Sequence, residues 1–461
     1  MASQTGYKLV DGSFPETPAP TPAQLRHALG FFHRILPRSF FSDFQAEFKM
    51  RERKRVVTLP VTVWLMIVQR LGAGTLAGAL GELLAGNGWE VLEPCARVRD
   101  RNISPGTGGY SQARSRVPEE LARRIARHTF LQLRAALCPD ELRRRVFVVD
   151  GTSVRLPHTR ALLEEYAPAS NQRGDAHWPV MRVVTMHHAP TGLALDPCYG
   201  PMYGEHAVGE QELAEKMLKH LPPRSILIGD RNFGVFALAW KAAAEGHDVL
   251  FRMTEDRAKP LAGELVERMD EMVEWRPTAQ VLRKHPELPR DAVLKGRLVA
   301  HRPEGARETL YLFTTLEETV ETAVSLYGDR WSIETDLRSL KEQVRLHSLE
   351  AKTPRMAAVE LLLAVAAYNL IRGVMEQAAR AAGVQPRRLS YARAQACFWP
   401  FTRAVSGPCT PEQFERHWND LIRAVGRCKL PNRKRASQPR AIWPKRSAFP
   451  FRKAASEEKT K

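Results

Sequence analysis

The alternation of β-rich and helical segments over residues 144–253 constrains this chain more than any other feature. Val146, Phe147, Val148 and Val149 form a β-branched and aromatic run that stops at Asp150-Gly151. Residues 180–188, a Pro190-Thr191-Gly192 turn and residues 193–199 read as a hairpin. A helix over 208–221 is closed by Pro222-Pro223, and Ile226-Leu227-Ile228-Gly229 then forms a second apolar run, ending at Asp230. A helix over 236–245 and a strand over 249–253 complete the series. Such an order requires helices on the faces of a largely buried sheet. The expected fold is α/β, with Asp150 and Asp230 at the C-terminal ends of the first and fourth strands.

The flanking segments have a different texture. Residues 21–140 carry apolar side chains at helical spacing, first Leu25, Leu29, Phe32 and Leu36, then Val61, Trp64, Leu65 and Val68. Two basic clusters interrupt them, MRERKR at 50–55 and YSQARSR at 110–116. This reads as an all-helical DNA-binding domain with basic rims, or as an ordinary helical bundle with solvated cations. Residues 1–20, rich in Pro, Thr and Gly, read as a mobile N-terminus. After Met253 the alternation lapses: 298–300 and 309–314 look like strands without the helices of a βαβ repeat, so 254–316 is expected to be a β-rich insertion. Residues 317–383 return to the core, 384–426 are a helical segment, and 427–461 form a basic tail. That tail holds twelve Lys or Arg against two Glu, with Trp443, Phe449 and Phe451 among them, and can follow a phosphate backbone or simply stay solvated. The first part of the core is 141–253.

Composition narrows the partners. With 461 residues, 44% of them hydrophobic, the chain can bury several cores, and its net charge of +18 suits nucleic acid. Six cysteines without a CxxC pair indicate neither a disulfide framework nor a zinc site. The N-terminus has no apolar leader, and the most apolar stretch, 356–371, carries Glu360 and is too short to span a bilayer. A cytoplasmic, nucleoid-associated protein without membrane contact is expected.

The segment from Tyr327 to Lys341 points to chemistry. Tyr327, Arg330, Glu334 and Lys341 stand at offsets 0, 3, 7 and 14, which on one α-helix fall within roughly 60° of each other. Leu326, Ile333, Leu337 and Leu340 form an apolar stripe beside them. A carboxylate among cations can hold a metal while Arg and Lys hold a phosphodiester. Added to Asp150 and Asp230, Glu334 makes three carboxylates, a set suited to two metal ions about 4 Å apart in phosphodiester chemistry. Singly, each aspartate could equally be a turn residue.

The Y-(2)-R-(3)-E-(6)-K spacing resembles the signature of bacterial insertion-sequence transposases, DDE enzymes with an RNase H-like catalytic core. Supporting pieces are Tyr110 to Arg116, Val149-Asp150-Gly151, Gly229-Asp230-Arg231, Tyr368-Asn369-Leu370-Ile371-Arg372 and the tail from Pro439. The resemblance implies that Asp150, Asp230 and Glu334 are catalytic and bind metal, two Mg²⁺ ions per site with Mn²⁺ able to substitute. It implies that Tyr327, Arg330 and Lys341 bind the DNA. The partners would be the terminal inverted repeats of an element and target DNA, with a dimer in the synaptic complex and an interface in the helices after residue 355. Excision through a DNA hairpin would place a flipped base on an aromatic side chain. Trp275 is a candidate, with a core position as the alternative. This chain departs from some members in having Arg231-Asn232-Phe233 after the second aspartate, with no acid four positions on. Two readings of other classes stay open: a transposase-derived DNA-binding protein without catalysis, and a nuclease of the same core. His187 and His188, adjacent in a strand, face opposite sides and do not suggest a shared metal. Ser153 lacks the surroundings of a nucleophile, and Arg155, Arg173 and Arg231 could touch phosphate or be solvated surface.

Overall fold

In a computed structural model, which describes residues 35–50, 55–137, 145–172, 174–302, 308–405 and 409–431, the alternation folds as a mixed sheet of nine strands. Strand β1 (Val146–Arg155) is its axis. On one side β1 pairs antiparallel with β3 (Gly174–His188), which pairs antiparallel with β4 (Cys198–Pro201) and, at its outer end, with β2 (Pro168–Asn171). On the other side β1 pairs parallel with β5 (Ile226–Gly229), and β5 with β6 (Asp248–Met253). Helices Glu210–Leu218 and Phe236–Ala244 make the two connections that parallel pairing requires. Strand β5 is buried at every position, as a parallel strand covered on both faces must be.

The stretch expected as a β-rich insertion extends this same sheet. Strand β9 (Leu310–Thr314) pairs antiparallel with β6, β8 (Leu294–His301) with β9, and β7 (Arg268–Trp275) with β8. Helices Glu255–Ala262 and Ala279–Lys284 lie in it as well, where none was expected. The β7 strand was illegible because its inward set, Met269, Val273 and Trp275, is broken by an exposed Glu271.

The described part of 35–137 is helical, and its last helix, Glu119–Leu137, packs along the 28-residue helix Pro354–Ala381. That long helix starts on the Thr353 side chain, which accepts a hydrogen bond from the Met356 N–H, with Pro354 in its first turn. Helices Leu59–Val68, Tyr391–Val405 and Pro411–Arg427 also contact it. It is longer than the 356–371 stretch suggested and, by length and composition, could cross a membrane. Its apolar window is instead 100% buried inside the protein. It is buried nearly throughout within the chain, whereas the later helices Tyr391–Val405 and Pro411–Arg427 keep exposed positions.

In the basic cluster at 110–116, Tyr110 and Arg114 point inward while Arg116 stays exposed. Tyr110 is buried and donates to Gln69 Oε1 at 3.3 Å, and Arg114 pairs with Glu360, which also takes Arg70 at 2.7 Å. Charge in a sequence reads as surface, but a carboxylate between two guanidiniums can be buried. Residues 1–20, Leu25, Leu29, Phe32, positions 51–54 of the other basic cluster, Arg173, and the tail from 432 with its three aromatics lie outside the described residues.

Candidate active site

Asp150 sits in the middle of β1, not at its end. The strand continues because β3 pairs with it as far as Arg155, whereas its parallel partner β5 pairs only with Val146, Phe147 and Val148. Asp150 therefore lies just past the point where β5 ends, and Asp230 follows that end directly. A tight turn fixes Asp230: its Oδ1 accepts from the Asn232 N–H at 2.8 Å, and its carbonyl accepts from Phe233 and Gly234, both at 3.0 Å. Asp150 Oδ1 accepts from the Gly151 N–H at 2.8 Å.

Burial pushes the Asp150 carboxyl up to about 6, the Gly151 N–H works against that, Asp230 and Glu210 raise it further by repulsion, and Arg330 eases it. Glu210 is a neighbour that the sequence did not reveal. Its carboxylate occupies the space of a side chain at 151, and its Oε2 accepts from Asn232 Nδ2 at 2.6 Å. The available signal was Gly151, which reads as a turn residue in sequence but stands within a strand, where glycine often marks a close approach.

The Tyr327–Lys341 segment is not one helix. Val320–Gly328 and Trp331–Glu342 are separate, joined by Asp329 and Arg330. Across the joint the N–H groups of Asp329, Arg330, Ser332 and Ile333 bond three residues back, at 3.0 to 3.1 Å. Such tighter turns advance further per residue than an α-helix, so the four signature residues do not keep one α-helical face. Gly328 and Asp329 are poor interior helix residues, and the Ser332 hydroxyl donates to the Asp329 carbonyl. The expected stripe of Leu326, Ile333, Leu337 and Leu340 is buried.

Arg330 connects the segment to the aspartates. It lies 3.6 Å from Glu334 and over the Trp331 ring at 4.4 Å from its centroid. Tyr327 is 5% exposed, and burial first of all raises its phenol, with Arg330 and Arg252 easing it and Asp230 opposing. The Arg330 side chain also eases that phenol by hydrogen bonding, while its Nε is buried without a hydrogen-bond partner among the described residues. Asp150, Asp230, Glu210, Tyr327 and Arg330 thus converge, and Glu334 joins them through Arg330. Lys341 lies about 10 Å further along the helix than Glu334, half-buried, and no described contact ties it to the carboxylates.

Two residues after Glu334, Asp336 is fully buried and anchors the helix. It accepts from Arg387 Nη1 at 2.6 and 2.7 Å and from Arg372. Tyr368 donates to the Gly192 carbonyl at 2.9 Å, and Asn369 both donates to and accepts from the Ala194 backbone at 2.8 Å. The Tyr368–Arg372 motif therefore fastens the turn after β3 and the Glu334 helix to one core helix.

Other candidates are assigned by their surroundings. Trp275 is a core residue, with edge contacts to Phe236 and Phe313, whereas Trp331 is 60% exposed. His187 and His188 are buried and bonded separately, to the Gly192 carbonyl and to Thr191. Ser153, Arg155 and Arg231 are exposed.

The donors around Asp150 and Asp230 are hard oxygens, and Asp150, buried beside two other acids, resists ionisation, an environment that a divalent cation relieves. Asp150, Asp230 and Glu334 do not bring their oxygens as close together as Glu215, His285 and Glu287 do, whose ligand atoms lie within 4.8 Å of one another. In that second group the Lys241 ammonium already bridges Glu215 and Glu287 at 2.7 and 2.6 Å, so it is an ion-pair network.

Residues 141–370 match the family model described as transposase DDE domain. Over 404 residues the chain is 23% identical to the transposase InsG for insertion sequence element IS4 of Escherichia coli (strain K12), covering 85% of this chain and 86% of that protein. A solved structure, the cryo-EM structure of piggyBac transposase synaptic complex with hairpin DNA, aligns with 88% of this chain and 86% of its own at 12% identity and a TM-score of 0.39.

Proposed function

This chain belongs to the DDE transposases of insertion sequences, and on that premise we propose that Asp150, Asp230 and Glu334 form the metal site at which it cuts and joins DNA. The observation that carries the proposal is the meeting of Asp150 and Asp230 beside Arg330, the residue that holds Glu334. The proposed complement is two Mg²⁺ ions, replaceable by Mn²⁺. Bound there, the ions would polarise the scissile phosphate and lower the pKa of the attacking hydroxyl.

In the first reaction a water oxygen bonds to phosphorus and the P–O3′ bond breaks, leaving a 3′-hydroxyl on the element end. In the second, that 3′-oxygen attacks a target phosphodiester and expels another 3′-oxygen, which takes up the proton. Arg330 and Lys341 neutralise phosphate charge, and Tyr327, buried against Asp230, braces the site. The RNase H-like reading of the core is supported by antiparallel β4, β3 and β1 with β5 and β6 parallel to β1. Concerted cleavage of two inverted repeats calls for a dimer on the DNA.

Cleavage and joining of DNA carrying the element's terminal repeats, in Mg²⁺ or Mn²⁺, tests the assignment. Asp150→Ala, Asp230→Ala and Glu334→Gln are each expected to abolish cleavage while binding of the ends persists. Normal cleavage by Glu334→Gln overturns the site. Cleavage without strand-transfer products from a supplied 3′-hydroxyl end would mark a nuclease.

A further inference from the structure

Glu210 opens its helix at the gap between the two strand-borne aspartates. Its Oε2 accepts from Asn232 Nδ2 at 2.6 Å, and the Asn232 N–H in turn donates to Asp230 Oδ1 at 2.8 Å. On the opposite side its Cδ and Oε1 fill the room that Gly151, next to Asp150, leaves by having no side chain. The carboxylate is thus wedged between the neighbours of both aspartates and repels charge on Asp150.

A carboxylate in that position needs a physical reason. At the first turn of a helix it gains from the helix dipole, but the dipole does not require it to fold over Gly151 towards two other acids. Close by, the Tyr327 hydroxyl, on a side chain only 5% exposed, feels the charge of Asp230 and is eased by the Arg330 side chain, the cation that also faces Asp150. Hard carboxylate oxygens set around one space, further apart than the 4.8 Å of a closed ligand set, are surroundings that a hydrated cation can bridge.

We propose that Glu210 is a fourth metal-holding carboxylate of this site, with Oε2 steered by Asn232 and Oε1 left for a divalent cation shared with Asp150 and Asp230. The inference rests on the reading of those two aspartates as the metal site. Residues 150, 210 and 230 then form a set carried wholly by the sheet and its first crossover helix. Glu334 would complete that set after leaving Arg330.

Mn²⁺ binding to the full chain, followed by titration calorimetry and electron paramagnetic resonance, separates a ligand from a brace. Glu210→Gln keeps the size of the side chain and the acceptor for Asn232 but removes the charge. It is expected to weaken Mn²⁺ at least about tenfold without lowering the metal-free melting temperature. Gly151→Ala, which pushes the carboxylate aside and changes no charge, is expected to give a loss in the same direction. Should both variants bind Mn²⁺ like the wild type while Asp230→Ala does not, Glu210 merely positions Asn232 and the inference falls. Wild-type binding by Asp230→Ala and Asp150→Ala as well would instead overturn the underlying assignment.

Discussion

The Arg330 guanidinium stands 3.6 Å from the Glu334 carboxylate and 4.4 Å from the centroid of the Trp331 ring. One cation therefore pairs with the third carboxylate of the proposed site while easing the ionisation of the first, Asp150. A DNA phosphate arriving at Arg330 would compete with Glu334 for it and release that carboxylate towards the aspartates, coupling end binding to completion of the site.

Removing Arg330 has a consequence with a definite sign. Its charge lowers the Asp150 pKa, so Arg330→Ala raises it further, and the ionised form needed at the metal appears only at higher pH. Cleavage is expected to fall about 10²–10³-fold, and the rising limb of rate against pH to move to higher pH. Arg330→Lys, which keeps the charge, should retain the wild-type limb. An unmoved limb in Arg330→Ala would break the proposed coupling to Asp150.

Asp150 should weaken the metal-free fold at neutral pH. Its pKa is raised from 3.8 to about 6, so the folded protein binds that proton more tightly than the unfolded chain. Stability from this group is full at low pH and is lost as pH rises from near 4 through about 6. Asp150→Asn is expected to stabilise the metal-free protein at neutral pH by about 1–2 kcal/mol after screening, and to lose that advantage near the unfolded pKa. Thermal melts across this range, with chelator present, check it; a variant less stable than wild type at neutral pH contradicts it.

Most of the order over 146–253 was legible because each element carries its own periodicity, and the two aspartates were legible as the ends of apolar runs. Helix Arg160–Glu165 and strand β2 were too short to show one, so Asp230 follows the fifth strand, not the fourth. The true extent of β1 was not, since a partner strand, not the run of Val and Phe, decides where it stops. Glu210 was hidden because its contact with Gly151 joins segments distant in sequence. Periodicity also passes over the joint at Asp329, where the residues stay helical in spacing while the hydrogen bonds change register. Glu360, Asp336 and Arg114 were misread or given no role for a common reason: ion pairing lets a charge be buried, and the partner cannot be seen locally.

Asp336 should matter for stability before it matters for chemistry. It is wholly buried between Arg372 and Arg387, and Asp336→Ala leaves those guanidiniums without their counter-charge. A loss of about 3–5 kcal/mol is expected, read from the shift in denaturant midpoint. A loss below about 1 kcal/mol would mean that the pairs are screened and do not anchor the helix. Asp336→Asn, which keeps hydrogen-bonding capacity, should lose less than Asp336→Ala, which separates acceptor geometry from charge.

Trp331, beside Arg330, and Trp275, on the outer strand β7, should separate DNA contact from packing. Trp275 is 8% exposed and meets Phe236 and Phe313 edge-on, with ring centroids 5.7 and 4.8 Å away. Trp275→Ala is therefore expected to cost about 3–5 kcal/mol. Trp331 is 60% exposed, its ring covered only by Arg330 among its described ring contacts, so Trp331→Ala should stay within about 0.5 kcal/mol of wild type. Its effect belongs to DNA: a base stacked on such a ring contributes about 1–3 kcal/mol, so end binding or cleavage should drop roughly 5- to 150-fold. Paired unfolding curves and end-binding titrations make the comparison. If Trp331→Ala unfolds early, or if Trp275→Ala folds normally but fails on DNA, the two roles must be exchanged.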